Sequence, residues 1–222
     1  MSEMENNSDI QSNQRPLKTK HRGGKFKRLE PQNTMAITSS PRVLSCFQNT
    51  RCFQFYERIK QVKSNPELTR ILILNLKNKY SDLAGIKFEI SIVSISEATG
   101  IPSVGEKWFK NGKLERDLFL PFLKRRYRQG SIAVFPFSHL KHRYAPLMLA
   151  IMRYFTCEGR YSRVYTYHLR LLTHFTGVKA LDLPYYLYRS IVKMSSVVQR
   201  RIFPQQMSSL FHHSLIKMVV EH

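Results

Sequence analysis

Apolar residues recur along most of this chain at intervals of three and four, the spacing of helices with one buried face. Between Phe47 and Val62, the residues Phe55, Ile59 and Val62 share such a face. Ser64-Asn65-Pro66-Glu67 is a break and restart. Asn65 suits an N-cap and Pro66 the first helical position, where a missing N–H costs nothing. The helix that follows, from Glu67 to about Lys79, turns Leu68, Ile71, Leu72 and Leu76 inward. Ile73 and Leu74 make it apolar nearly all round, which predicts a buried central helix.

The period then changes to two. Ile86, Phe88, Ile90 and Ile92 alternate with Lys87, Glu89 and Ser91, predicting a strand near 86–92 with one face buried. Its ladder groups need a partner, for which 131–137 (S-I-A-V-F-P-F) is the candidate. Ser94 and Glu97 have the spacing of a capping box. Gly100 and Pro102 end that short helix, Gly105 turns the chain, and Trp108-Phe109 returns to the core. Leu114, Leu118 and Phe122 mark a helix over about 114–127, bent at Pro121 and stopped before Gly130.

Four more helices are expected over about 139–157, 163–176, 183–201 and 208–221. In the second, Val164, His168, Leu171, Leu172 and Phe175 form the inward stripe. In the third it is Leu183, Leu187, Ile191, Met194 and Val198, with Asp182 as N-cap. In the fourth, Leu210, Phe211, Leu215 and Met218 are apolar, and the end of the chain is expected to leave part of that face open. The pattern predicts a mainly α fold: a single helical domain of about eight helices over 43–222, with a minor β element. Residues 1–42, rich in Asn, Gln, Ser and Lys and without period, are expected to be a disordered basic polar tail. Within them Lys18–Arg28 is a basic cluster that suits nuclear import or contact with nucleic acid.

Composition adds the means to build that core: 222 residues, 42% hydrophobic, with 14 Phe and 11 Tyr. Each large side chain buried contributes roughly 1.5–3 kcal/mol. No run of apolar residues is long enough to span a bilayer, and the polar, acidic N-terminus is unlike a secretory signal. Membrane partners are therefore not expected. Three cysteines, Cys46, Cys52 and Cys157, fit reduced thiols in a reducing compartment better than a disulfide or zinc framework. An intracellular location follows, the nucleus ahead of the cytoplasm.

Charge changes the picture most. The formal net charge is +21. From Leu120 to Arg201 fifteen Lys or Arg face two acids, Glu158 and Asp182. A field of that sign attracts polyanions, nucleic acid above all. Lys124, Arg125, Arg126 and Arg128 surround Tyr127 at the end of a predicted helix, where they also complement its dipole. Arg189, Lys193 and Arg200 share one face of the 183–201 helix. With Arg163, Arg170 and Tyr167 outward on the preceding helix, they predict a basic surface carrying aromatics, placed away from 87–110. The bland alternative is that these cations only solvate helix faces.

Catalytic chemistry is hard to find. A transposase or integrase of the RNase H type needs three carboxylates holding two metals, and no such set stands at strand ends. There is no phosphate-binding glycine loop and no C-x-x-C. Cys157, His168 and His174 superficially suggest a thiol nucleophile, but no orienting third group accompanies them. His168, on an apolar stripe, reads as a core histidine. No cofactor, metal site or catalytic residue is expected.

The succession F-E-I…S-I-S-E-A-T-G-I-P…G-E-K-W-F-K, followed by F-P-F-S-H-L, Y-A-P-L-M, M-R-Y-F-T-C-E-G-R-Y-S-R-V-Y, H-L-R-L-L-T-H-F, L-P-Y-Y-L-Y-R-S and S-L-F-H-H-S-L-I-K, resembles a family of plant mobile-element proteins. These are associated with retrotransposons and transposons. The resemblance covers roughly residues 52–222, with a looser similarity to the aminotransferase-like plant mobile domain. It implies a transposable-element-derived protein, C-terminally shortened, without an enzymatic activity to carry over. Nucleic acid, DNA or RNA, is the first expected partner. The alternative is a gag-like assembly domain that contacts itself or other element-encoded proteins.

Overall fold

The computed structural model describes residues 38–63, 65–110, 116–124, 134–157, 161–199 and 213–222. The fold is mainly helical, as the pattern predicts. Among the described residues the α-helices are, in chain order, α1 (Pro41–Asn49), α2 (Phe53–Gln61), α3 (Pro66–Asn75), α4 (Ile92–Thr99), α5 (Arg116–Phe119), α6 (Ala145–Ala150), α7 (Thr166–Phe175), α8 (Leu183–Gln199) and α9 (His213–Val220). The described strands form two short antiparallel pairs: β1 (Tyr80–Leu83) with β2 (Ile86–Glu89), and β3 (Val134–Pro136) with β4 (Arg163–Tyr165).

One hydrophobic core runs from Val43 to Met218. Its centre is aromatic. Phe47 of α1 lies 4.6 Å from Tyr56 of α2 and 5.2 Å, edge-on, from Phe175 of α7. Phe155 reaches Phe55 at 5.2 Å and Phe175 at 4.7 Å. Phe155 closes a π-helical turn, Ile151–Phe155, that continues α6. The helix predicted over 139–157 thus begins later, after short 3-10 turns at Phe137–His139 and His142–Tyr144, with Pro146 in its first turn.

The long helix expected up to Val62 is two helices. Thr50 closes α1 by bonding the Cys46 carbonyl (2.8 Å), and Arg51 takes a positive φ of 58°. The expected tail up to residue 37, with the Lys18–Arg28 cluster, lies outside the described residues; its last residues belong to the fold, since Pro41 opens α1 and the Tyr56 hydroxyl donates to the carbonyl of buried Thr38 (2.9 Å). Asn65 caps α3 as expected, accepting from the Leu68 N–H at 3.0 Å. That helix stops at Asn75 rather than Lys79: Leu76 is extended, and Gln199 of α8 donates to the carbonyls of Leu74 and Leu76 (3.1 and 3.0 Å). Leu72 and Ile73 are fully buried, but Ile71 and Leu74 are only half-buried, so α3 lies beside the core's centre.

The predicted strand at 86–92 ends at Glu89, and its partner is local. Tyr80 pairs with Glu89 and Leu83 with Ile86 around a two-residue turn, Ala84-Gly85, both at positive φ. Ser81, buried, donates to the Leu72 carbonyl (2.7 Å) and ties the hairpin to α3. Ile86 shares a face with Phe88 but sits beside the turn, beyond the reach of α3, and is 62% exposed. Residues 134–136 do form a strand, paired with 163–165. That pairing takes Arg163 to Tyr165 out of the helix expected from 163, which starts at Thr166.

The cap of α4 stands three residues before the expected one. Ser91 is the N-cap: its Oγ accepts from the Ser94 N–H (3.2 Å), while the Ser94 Oγ accepts from the Ser91 N–H (2.8 Å). Gly100, at φ 68°, ends it. Arg58 of α2 donates to the Ala98 carbonyl in the last turn (2.8 Å). Helix α4 packs between α8 and α9. In α9, Leu215 and Ile216 are fully buried and Met218 nearly so, and Ser214 bonds the Val62 carbonyl across 152 residues of sequence (3.1 Å). The described part of the last helix thus has its apolar face covered within the chain. The helix predicted over 114–127 is α5 followed by a 3-10 turn at Leu120–Phe122, after which Leu123 is extended and bridges Leu140.

Candidate nucleic-acid interface

The segment after α4 is pinned to the start of α8. The Ser103 hydroxyl donates to Asp182 Oδ2 (2.8 Å), whose other oxygen accepts from the Tyr185 N–H (3.0 Å) and caps α8. One carboxylate, 2% exposed, therefore starts the helix and anchors the loop. Glu106 donates its N–H to Ala180 (3.1 Å), and Asp182 donates back to the Glu106 carbonyl (3.0 Å). Gly105, at φ 107°, lets the backbones meet: a Cβ there would stand 2.9 Å from the carbonyl carbon of Leu181. His174, on the last turn of α7, accepts the Leu181 N–H at Nδ1 (3.0 Å). Burial brings its pKa from 6.5 down to about 4, so the ring is neutral and acts as an acceptor.

This loop delivers Glu106 to two cations. Glu106 Oε2 lies 2.7 Å from Arg170 Nη2 and 2.8 Å from Lys179 Nζ. Sequence periodicity places Arg170 outward; the structure buries it, at 2% exposure. Helix α7 is surrounded, with every residue from His168 to Thr173 buried, so a cation on it must find a counter-charge inside. Arg170 also lies 5.8 Å from the Trp108 ring. It holds the scaffold and does not belong to the solvent-facing surface.

Beyond Glu106 the loop lays three consecutive residues across α7 and α8. Trp108 is parallel to Tyr186 (6.2 Å, 2°), and Phe109 leans on the same ring at 5.6 Å. Arg189 and Lys193, one turn apart on α8 and both exposed, stand 5.7 and 5.9 Å from the Phe109 ring. Lys110 places Nζ 4.0 Å from the ring centre of Tyr167, which stacks on Tyr165 at 5.3 Å and 9°. Arg163, exposed, lies two residues before Tyr165 and pairs with Pro136. Lys124 is fastened two residues beyond Pro136, where its Nζ donates to the Ser138 carbonyl (2.6 Å).

Of the predicted cations, Arg189 and Lys193 thus come together on Phe109. Arg163 stands on β4 two residues before Tyr165, whose ring stacks on Tyr167 beneath Lys110, and Lys124 is held on the Ser138 carbonyl. Arg125, Arg126, Arg128 and Arg200 lie outside the described residues. Sequence reasoning passed over Lys110 and Phe109 by assigning 87–110 only to folding. The signal was the interleaving of cations and rings in K-W-F-K. Of the acids in this loop and at the start of α8, Glu106 is paired with Arg170 and Lys179, and Asp182 is buried.

His168 is the core histidine expected: it accepts the Tyr165 N–H at Nδ1 (3.0 Å), and its Nε2 meets the Thr156 hydroxyl (3.3 Å). Among the described residues no three His, Cys, Asp or Glu side chains gather to hold a metal ion, and no helix is long and apolar enough to cross a membrane. No family model, curated protein or solved structure matches this chain.

Proposed function

We propose that this is a non-enzymatic protein derived from a plant transposable element, acting inside the cell, with the nucleus ahead of the cytoplasm, by binding nucleic acid. The origin rests on the sequence resemblance alone. Binding rests on one observation: Arg189 and Lys193 over Phe109, continued by Lys110 over Tyr167. Cations arranged on rings at the surface suit a polymer that offers phosphates and bases together. The gag-like alternative draws no support from α9, whose apolar residues Leu215, Ile216 and Met218 are buried against the rest of the chain.

Fluorescence anisotropy of the full chain with labelled oligonucleotides tests this. Four phosphate contacts, by Lys110, Arg163, Arg189 and Lys193, give a log affinity against log salt slope of about −4 on duplex or about −3 on single strands. Replacing Arg189 and Lys193 by Gln removes about half of that slope. No binding at about 50 mM salt, or a flat salt response, overturns the proposal.

A further inference from the structure

We propose that this surface selects single-stranded over duplex nucleic acid, with unpaired bases extending the Tyr165–Tyr167 stack while Lys110, Arg163, Arg189 and Lys193 follow the phosphates. This deepens the nucleic-acid binding proposed for the same surface and depends on it. A duplex shows phosphates and base edges and hides the faces of its bases, so cations alone serve its backbone. Rings at the surface serve only a strand whose bases are free to stack.

Here the rings are already in order. Tyr165 and Tyr167 lie 5.3 Å apart with 9° between their planes, the geometry to which a base adds as a further layer. Tyr165 is held through its N–H on His168, and the Tyr167 ring packs 4.2 Å from the buried His168 ring. A platform fixed from below loses little conformational freedom on binding. Lys110 lies over the Tyr167 ring at 4.0 Å, so an added base takes the Tyr165 end of the stack. Groove reading relies on amide side chains as well as Arg. The described part of α8 has one such amide, Gln199, and it is engaged on the α3 carbonyls.

The test is binding of the full chain to a labelled oligothymidine, an oligouridine and a duplex of the same length, at low and moderate salt. The single strands are expected to bind about tenfold or more tightly than the duplex. Tyr165→Leu and Tyr167→Leu keep apolar bulk and remove the ring. Each is expected to weaken single-strand binding by roughly five- to a hundredfold with the salt slope unchanged, while Tyr167→Phe retains it. Thermal unfolding of each variant verifies that the fold survives. Equal or tighter duplex binding, or Leu variants that bind as the parent does, overturns single-strand selection and leaves nucleic-acid binding standing. Failure of all three oligonucleotides to bind removes both.

Discussion

Gly105 lies so close to Ala180 that a Cβ added to it would meet the Ala180 carbonyl carbon and oxygen at 3.0 Å. Both are backbone atoms and cannot swing aside. The φ of 107° is a second reason for glycine. Gly105→Ala is therefore expected to cost about 1–3 kcal/mol. The strain falls on the loop that carries Trp108, Phe109 and Lys110. Thermal denaturation measures the loss, and the emission of the single tryptophan should shift to the red as Trp108 leaves Tyr186. A variant with unchanged stability and emission would show that the loop does not depend on this contact.

Glu106 neutralises a guanidinium that has left water. Glu106→Gln keeps the shape and removes the charge, leaving Arg170 buried with its main counter-charge lost. The expected cost is about 2–3 kcal/mol, below the fully buried range because the Glu106 side chain is 40% exposed. Arg170→Met removes the need for a counter-charge and is expected to be milder. In a double-mutant cycle, Glu106→Gln should add little once Arg170 is Met. Full additivity, measured by denaturant unfolding, would mean that the pair is not coupled.

His174 makes the fold sensitive to mild acid. Its folded pKa, about 4, lies below the ordinary 6.5, so below pH 6.5 the unfolded chain takes up a proton that the folded one refuses. The stabilisation is complete above pH 6.5 and disappears as pH falls to about 4. Two and a half pH units correspond to about 3 kcal/mol at most. Protonation also places a hydrogen on Nδ1 opposite the Leu181 N–H, which removes the acceptor of that bond. His174→Asn offers an amide oxygen to that N–H and does not titrate. Its stability should fall less than the parent's between pH 6.5 and 4, by chemical denaturation at stepped pH. Parallel curves would exclude His174 as the source.

Where local chemistry determined the outcome, sequence and structure agree. Asn65-Pro66 opens α3 and Asp182 opens α8, because a cap needs only the residue and the three that follow. The stripe Val164, His168, Leu171, Leu172, Phe175 is buried throughout. The misses have physical causes. Ser91, Ser94 and Glu97 stand three apart, so two capping boxes compete, and the preceding hairpin, ending at Glu89, favours the first. Thr50 to Cys52 breaks a helix without Gly or Pro, through a side-chain bond and one left-handed residue. Periodicity cannot reveal that α7 is covered on every side from His168 to Thr173, which is why Arg170 looks exposed in sequence. The interface was half legible: Arg189 and Lys193 follow from helical spacing, but Lys110 reaches them only through contacts between residue 106 and residues 170 to 182.

The bond from Ser214 to the Val62 carbonyl bears on how the chain folds during synthesis. Its ends are 152 residues apart, and Ser195 bonds Ile73 across 122. Helices α2 and α3 leave the ribosome long before α8 and α9 exist to cover them. Until then Leu72 and Ile73 have no lid, and the nascent chain carries an open apolar face. Contacts this distant in sequence also slow the final closure, since the loop entropy is lost before the packing is gained. The core of a domain arranged in this way is completed only when its last two helices are made.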